Sequence, residues 1–152
     1  MEHITITKAV LTGWIGAIGS FIASLFGGWD AAMATLCAFM LIDYITGLIV
    51  AGVFKKSTKT DNGGLESRAG YKGLIRKFGV LVFVFISVRL DAVIGTDYIK
   101  NCVILTFIAN ETISITENLG LMGVPLPGVI KNAIAILNKK GEGKDEKDIY
   151  CG

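Results

Sequence analysis

Two long runs almost empty of charge constrain this chain more than any other feature. Residues 9–29 contain no charged side chain, and residues 31–54 contain only Asp43. A helix needs about 20 apolar residues to cross a hydrocarbon layer of ~30 Å, and two such runs fall in the first third of the sequence. A soluble core of this size has no room for both. Charged residues make up 18% of the chain and hydrophobic ones 52%, against about 25% charged in soluble domains. The expected fold is therefore all-α, built from polytopic transmembrane helical hairpins. The leader, residues 1–8, sets Lys8 against Glu2, and no small-residue cleavage pattern follows near Gly27-Gly28. The two runs read as a retained hairpin, not a secretory signal.

The first segment, residues 10–29, carries Gly13, Ala17, Ser20, Ser24 and Gly27 at alternating steps of four and three, which puts them on one helical face. In lipid such a stripe lets another helix come close, either within the chain or in a second copy. Gly27-Gly28-Trp29-Asp30 reads as a tight turn, with Trp29 suited to the lipid–water interface. The second segment, residues 31–54, ends in a polar loop over residues 55–77. Seven cations lie there (Lys55, Lys56, Lys59, Arg68, Lys72, Arg76 and Lys77), opposed by Asp61 and Glu66.

The third segment spans residues 78–94 and carries Arg89 and Asp91. A short link, residues 95–101, leads to the fourth, residues 102–119. Residues 120–128, with Pro125 and Pro127, break the helix. Residues 129–137 place Ile130, Ala133, Ile134 and Leu137 on one side, as in an interfacial helix. The organisation is thus a membrane domain over residues 1–137 and a charged, flexible tail over residues 138–152.

Cations near helix ends stay on the cytoplasmic side. The loop after segment two holds seven, the C-terminal region holds five, and the short opposite connections hold only Lys100. Four spans with both termini cytoplasmic satisfy this distribution. Three spans would leave segment one or segment four lying in the interface.

Each charge inside the bilayer costs ~2.5–3.5 kcal/mol on insertion scales and needs a reason. Asp43 lies about 12 residues from the outer end of segment two, and Arg89 about 12 from the inner start of segment three. At ~1.5 Å per residue both fall near the midplane. The geometry allows an Asp43–Arg89 ion pair, which would neutralise insertion cost and fix register; the alternative is a polar wall facing water in an assembled pore. On segment four, Asn110, Glu111, Ser114, Glu117 and Asn118 fall within an arc of about 120° at ~100° per residue. That stripe either hydrogen-bonds neighbouring helices or lines a water-filled path between several copies.

Catalysis finds no support in these residues. The sole histidine is His3, and no nucleophile motif, phosphate loop or Cys/His metal pattern occurs. No cofactor, metal or nucleic acid is expected, and the basic loop suits anionic headgroups.

Three stretches bear on a family. Leu41-Ile42-Asp43-Tyr44-Ile45-Thr46-Gly47 resembles the LDYITG signature of phage and toxin-secretion holins of clostridia and other Gram-positive bacteria. Ser67-Arg68-Ala69-Gly70-Tyr71-Lys72-Gly73, continuing to Arg76-Lys77, resembles that family's basic loop. Asn110-Glu111, Ser114-Ile115 and Glu117-Asn118, followed by Gly120 and Pro125, resemble its NE-xx-SI-x-EN segment. Order and spacing hold over residues 30–130, whereas the N-terminal segment and the tail match no signature.

The resemblance implies a non-enzymatic protein that accumulates in the bacterial inner membrane, oligomerises, and opens lesions releasing an endolysin or a large toxin. Its partners would be membrane lipid, further copies of itself and an antiholin. The rival classes are an ion- or proton-coupled transporter using Asp43 and Glu111, and an antiholin that restrains a holin.

Overall fold

The computed structural model describes residues 2–60, 62–130, 132 and 136. Four helices account for most of them: α1 (Glu2–Leu25), α2 (Ala31–Ile49), α3 (Ser67–Ile94) and α4 (Tyr98–Leu121). Among the described residues there is no strand. Among the described residues, only Ala31–Phe54 is both long and apolar enough to cross a membrane, while Val10–Leu25 is apolar but shorter. With 28 and 24 residues, α3 and α4 have the length but carry charge.

Between α1 and α2 the chain turns on Gly27 and Gly28, both at positive φ. Asp30 then caps α2, its carboxylate accepting from the Met33 N–H at 2.8 Å. The far end of α2 widens into a π turn over Val50–Phe54, closed by Lys55 in the left-handed region. The loop that follows folds back on this end. The Ser57 N–H donates to the Gly63 carbonyl at 2.9 Å, and a Cβ on Gly63 would run into the Lys55 carbonyl oxygen.

Two boundaries differ from the sequence expectation. Helix α3 begins at Ser67, about three turns before residue 78. No side chain caps that start, so nothing local separates the basic first turns from a loop. Likewise α4 begins at Tyr98 and not at residue 102, because Asp91 gathers the connection into a tight turn. Of the anticipated interfacial stretch, Val129, Ile130, Asn132 and Ile136 are helical. The rest of it, and the tail over residues 138–152 with Cys151, lie outside the described residues.

Helices α2 and α4 pack side by side along most of their length, and α3 packs mainly on α4. Each buries residues at steps of three, four or seven: Met33, Leu36, Met40 and Asp43 on α2; Val84, Ser87 and Asp91 on α3; Lys100, Ile104, Glu111 and Asn118 on α4. The apolar core comprises Met33, Leu36, Met40, Val84 and Ile104. Phe83 and Phe107 meet edge to face across α3 and α4, with ring centroids 6.0 Å apart.

Helix α1 stands apart. It touches the rest near its C-terminal end, where Phe26 meets the edge of Phe85 and Gly27 lies over Val88 and Lys100. Trp14, Ile15, Ile18 and Phe21 are all exposed. The small-residue stripe of Gly13, Ala17, Ser20, Ser24 and Gly27 is exposed too, and a Cβ on Gly13 would meet nothing within 4 Å. Along Gly13, Ala17, Ser20 and Ser24 no other described element covers it.

Candidate functional site

Midway along the three-helix body the apolar stripes give way to one ionisable residue from each helix. The Lys77 ammonium on α3 donates to Asp43 Oδ2 on α2 at 2.8 Å and to Glu111 Oε2 on α4 at 2.6 Å. Their side chains are only 13%, 10% and 7% exposed. Asn118, two turns beyond Glu111, donates its amide to Asp43 Oδ1 at 3.1 Å and Thr46 Oγ1 at 3.0 Å. Gly47 lies beside this amide, where a Cβ would make only an ordinary contact at 3.8 Å from the Asn118 nitrogen. One cation thus serves two carboxylates. Among the described residues no buried side-chain polar atom lacks a partner, the condition under which buried charge is tolerated.

A cavity of about 550 Å³ runs from the basic loop to this cluster. Lys59, Glu66, Lys72 and Arg76 line its loop side, and Asp43, Lys77, Glu111 and Ser114 its inner end. Beyond them the apolar core closes the way.

A second polar layer sits at the other end. Lys100 Nζ bonds Asp30 Oδ2 at 2.6 Å, and this bond, helped by the Met33 N–H, holds the Asp30 carboxyl below its ordinary pKa. Asp91 caps α4 from the preceding helix. Its Oδ1 accepts from the Thr96 hydroxyl at 2.6 Å and the Ile99 N–H at 3.0 Å, and its Oδ2 from the Lys100 N–H at 2.7 Å.

The anticipated Asp43–Arg89 pair does not form; Asp43 pairs with Lys77. With α3 starting at Ser67, Arg89 lies near its C-terminal end, level with Asp91 and not with Asp43. It also points away. The inward stripe of α3 includes Val84, Ser87 and Asp91, and a residue two positions from Ser87 or Asp91 falls on the opposite face. Arg89 is accordingly exposed. The polar arc of α4 divides: Glu111 and Asn118 are buried, Ser114 and Glu117 half-buried, and Asn110 exposed. Sequence reasoning missed Lys77, assigned to the loop, and the capping role of Asp91. The signal for Lys77 was its seven-residue step from Val84, continuing the buried stripe backwards.

No metal-binding group of His, Cys, Asp and Glu occurs among the described residues. No solved structure matches the chain. Its relatives are more informative. An uncharacterized protein of Listeria monocytogenes is 35% identical over 143 residues, covering 93% of this chain and 96% of the relative. An uncharacterized 14.9 kDa protein of Clostridium perfringens is 35% identical over 128 residues, 83% and 91% of the two chains. A probable holin of Bacillus phage phi105 is 34% identical over 109 residues, 71% of this chain and 75% of the phage protein. The bacteriophage holin family matches residues 20–139, a span containing Asp43, Lys77, Glu111 and Asn118. That family is non-enzymatic in character, and the apolar helix Ala31–Phe54 agrees with an inner-membrane location. By the extent of that match, and by its likeness to the phage protein, this chain belongs to the bacteriophage holin family.

Proposed function

We propose that the chain acts as a holin: copies gather in the bacterial inner membrane and open a non-selective lesion that releases an endolysin or a large toxin. Membership of the holin family carries this reading. In it α1, α2 with its π turn, α3 and α4 each cross the bilayer, and the basic loop and both termini face the cytoplasm. The uncovered stripe of α1 supplies a contact between copies, since small residues allow close helix approach in lipid. The polar residues Asp43, Asn110, Glu111, Ser114, Glu117 and Asn118, with Arg89, supply the wetted surface once copies assemble. Lipid and further copies are the partners, with an antiholin as restraint.

Expression of the chain alone in a bacterium tests the function. Dyes far larger than ions are expected to enter the cells, followed by a fall in culture density once an endolysin is supplied. Saturable uptake of one small solute, with larger dyes excluded, would point instead to a transporter. Orientation is tested by cysteine labelling of intact cells in a background lacking Cys37, Cys102 and Cys151. A membrane-impermeant maleimide is expected to modify Thr96→Cys and spare Ser57→Cys. Labelling at Ser57 before any lesion forms would reverse the topology.

A further inference from the structure

We propose that Lys77 is a releasable latch that holds α3 against the α2–α4 pair and keeps Asp43 and Glu111 buried between the three helices. This inference rests on the lesion-forming function proposed above and names what restrains it.

The three helices are not joined alike. Helices α2 and α4 pack along most of their length and bond directly, through Asn118 to Asp43 and Thr46. Helix α3 is held at one end by the Asp91 cap, which ties it to the first turn of α4. Toward its other end, the Lys77 ammonium ties it to both neighbours at once, through Asp43 and Glu111. The turn at Gly95 is thus the fixed end of a lever, with Lys77 on the free arm.

The latch can also open. The cavity reaches Lys77 from the basic loop, so the ammonium has space beside it on that side. A lysine stem can redirect its charge by several ångströms while its methylenes stay on apolar surface. The groups facing the ammonium are Asp43 from α2 and Glu111 from α4. Lys59 from the loop, Arg76 from α3 and Glu117 from α4 line the same cavity. Once Lys77 leaves, two carboxylates remain together without their cation. They regain solvation only if α3 moves off and water follows, which turns Glu111 and its neighbours toward an aqueous space.

Cysteines at Phe83 and Phe107, in a background lacking the native cysteines, test this in the full chain in membranes. Their rings touch across the α3–α4 seam, so the cross-link yield on oxidation reports a closed body without reference to leakage. With Lys77 present the yield is expected to be high. Lys77→Met is expected to lower it several-fold and, at equal membrane abundance, to raise the initial rate of dye entry about tenfold, equivalent to ~1.4 kcal/mol of lost restraint. Lys77→Arg, which keeps the charge, is expected to recover most of the yield and most of the delay. Oxidised Phe83→Cys/Phe107→Cys protein should not leak until reductant is added. An unchanged yield in Lys77→Met, or leakage from the cross-linked form equal to that of the reduced form, overturns the latch. Absence of leakage from the parent chain is a different failure, of the lesion itself, and leaves the yield to judge Lys77. Should Lys77→Met fail to accumulate, the oxidised and reduced forms of the double-cysteine protein decide the matter.

Discussion

Changing Asp43→Asn and Glu111→Gln together is expected to destabilise the protein by about 3–5 kcal/mol, the cost of breaking a buried ion pair from one side. Either change alone is expected to cost only about 0.5–1.5 kcal/mol, the net worth of a typical hydrogen bond. The asymmetry follows from stoichiometry. Lys77 bonds both carboxylates, so losing one leaves a balanced pair in which every remaining charge has a partner. Losing both strands an ammonium that is 13% exposed between α2, α3 and α4. Unfolding of the purified protein in detergent micelles, followed by helical circular dichroism, gives the three values. A double change costing no more than the two single ones added together would mean that the carboxylates act independently. The shared-lysine description would then be wrong.

Asp91→Ala is expected to cost about 2–4 kcal/mol, more than an ordinary cap of ~1 kcal/mol. Three donors lose their acceptor at once: the Thr96 hydroxyl and the N–H groups of Ile99 and Lys100. Asp91 is 3% exposed and Lys100 6%, so water does not readily take its place, and an unsatisfied buried donor costs about 1–3 kcal/mol. The damage should be local first. Amide exchange at Ile99 and Lys100 is expected to accelerate well before the middle of α4 is affected. Asp91→Asn keeps an acceptor oxygen and should lose about half as much. Equal exchange rates in Asp91→Ala and the parent would show that α4 does not depend on this cap.

Much of this arrangement was legible from residue order, and the rest failed for definable reasons. The apolar runs marked α1 and α2, and the polar arc of α4 marked Glu111 and Asn118 as inward or wetted residues. Asp43 was recognisable as a charge in need of a partner. Its partner was not. Helix α3 opens with Arg68, Lys72, Arg76 and Lys77 and has no side-chain cap, so its first turns carry the composition of a loop. Misplacing that start displaced every depth counted from it, which brought Arg89 level with Asp43. Azimuth would have corrected depth: Lys77, Val84 and Asp91 are seven residues apart and share a face, from which Arg89 is turned away. Asp91 posed the opposite problem. It reads as a charge in an apolar helix, and nothing in its own segment reveals that it serves the first turn of the next.

The two ionic layers also fix how good an insulator one protomer can be. Along α2, Asp30 and Asp43 are 13 residues apart, or roughly 20 Å at 1.5 Å per residue. The hydrocarbon of a bilayer is about 30 Å thick. The apolar run of α2 and its π turn continues past Asp43 to Phe54, so in the spanning arrangement proposed above it matches the hydrocarbon in length, while the dry section between the two layers is about a third thinner. Copies held side by side, as proposed above, would therefore bring the thinnest parts of the dielectric barrier into register. Joining the two aqueous sides then requires wetting only the slab around Leu36, Met40, Val84 and Ile104.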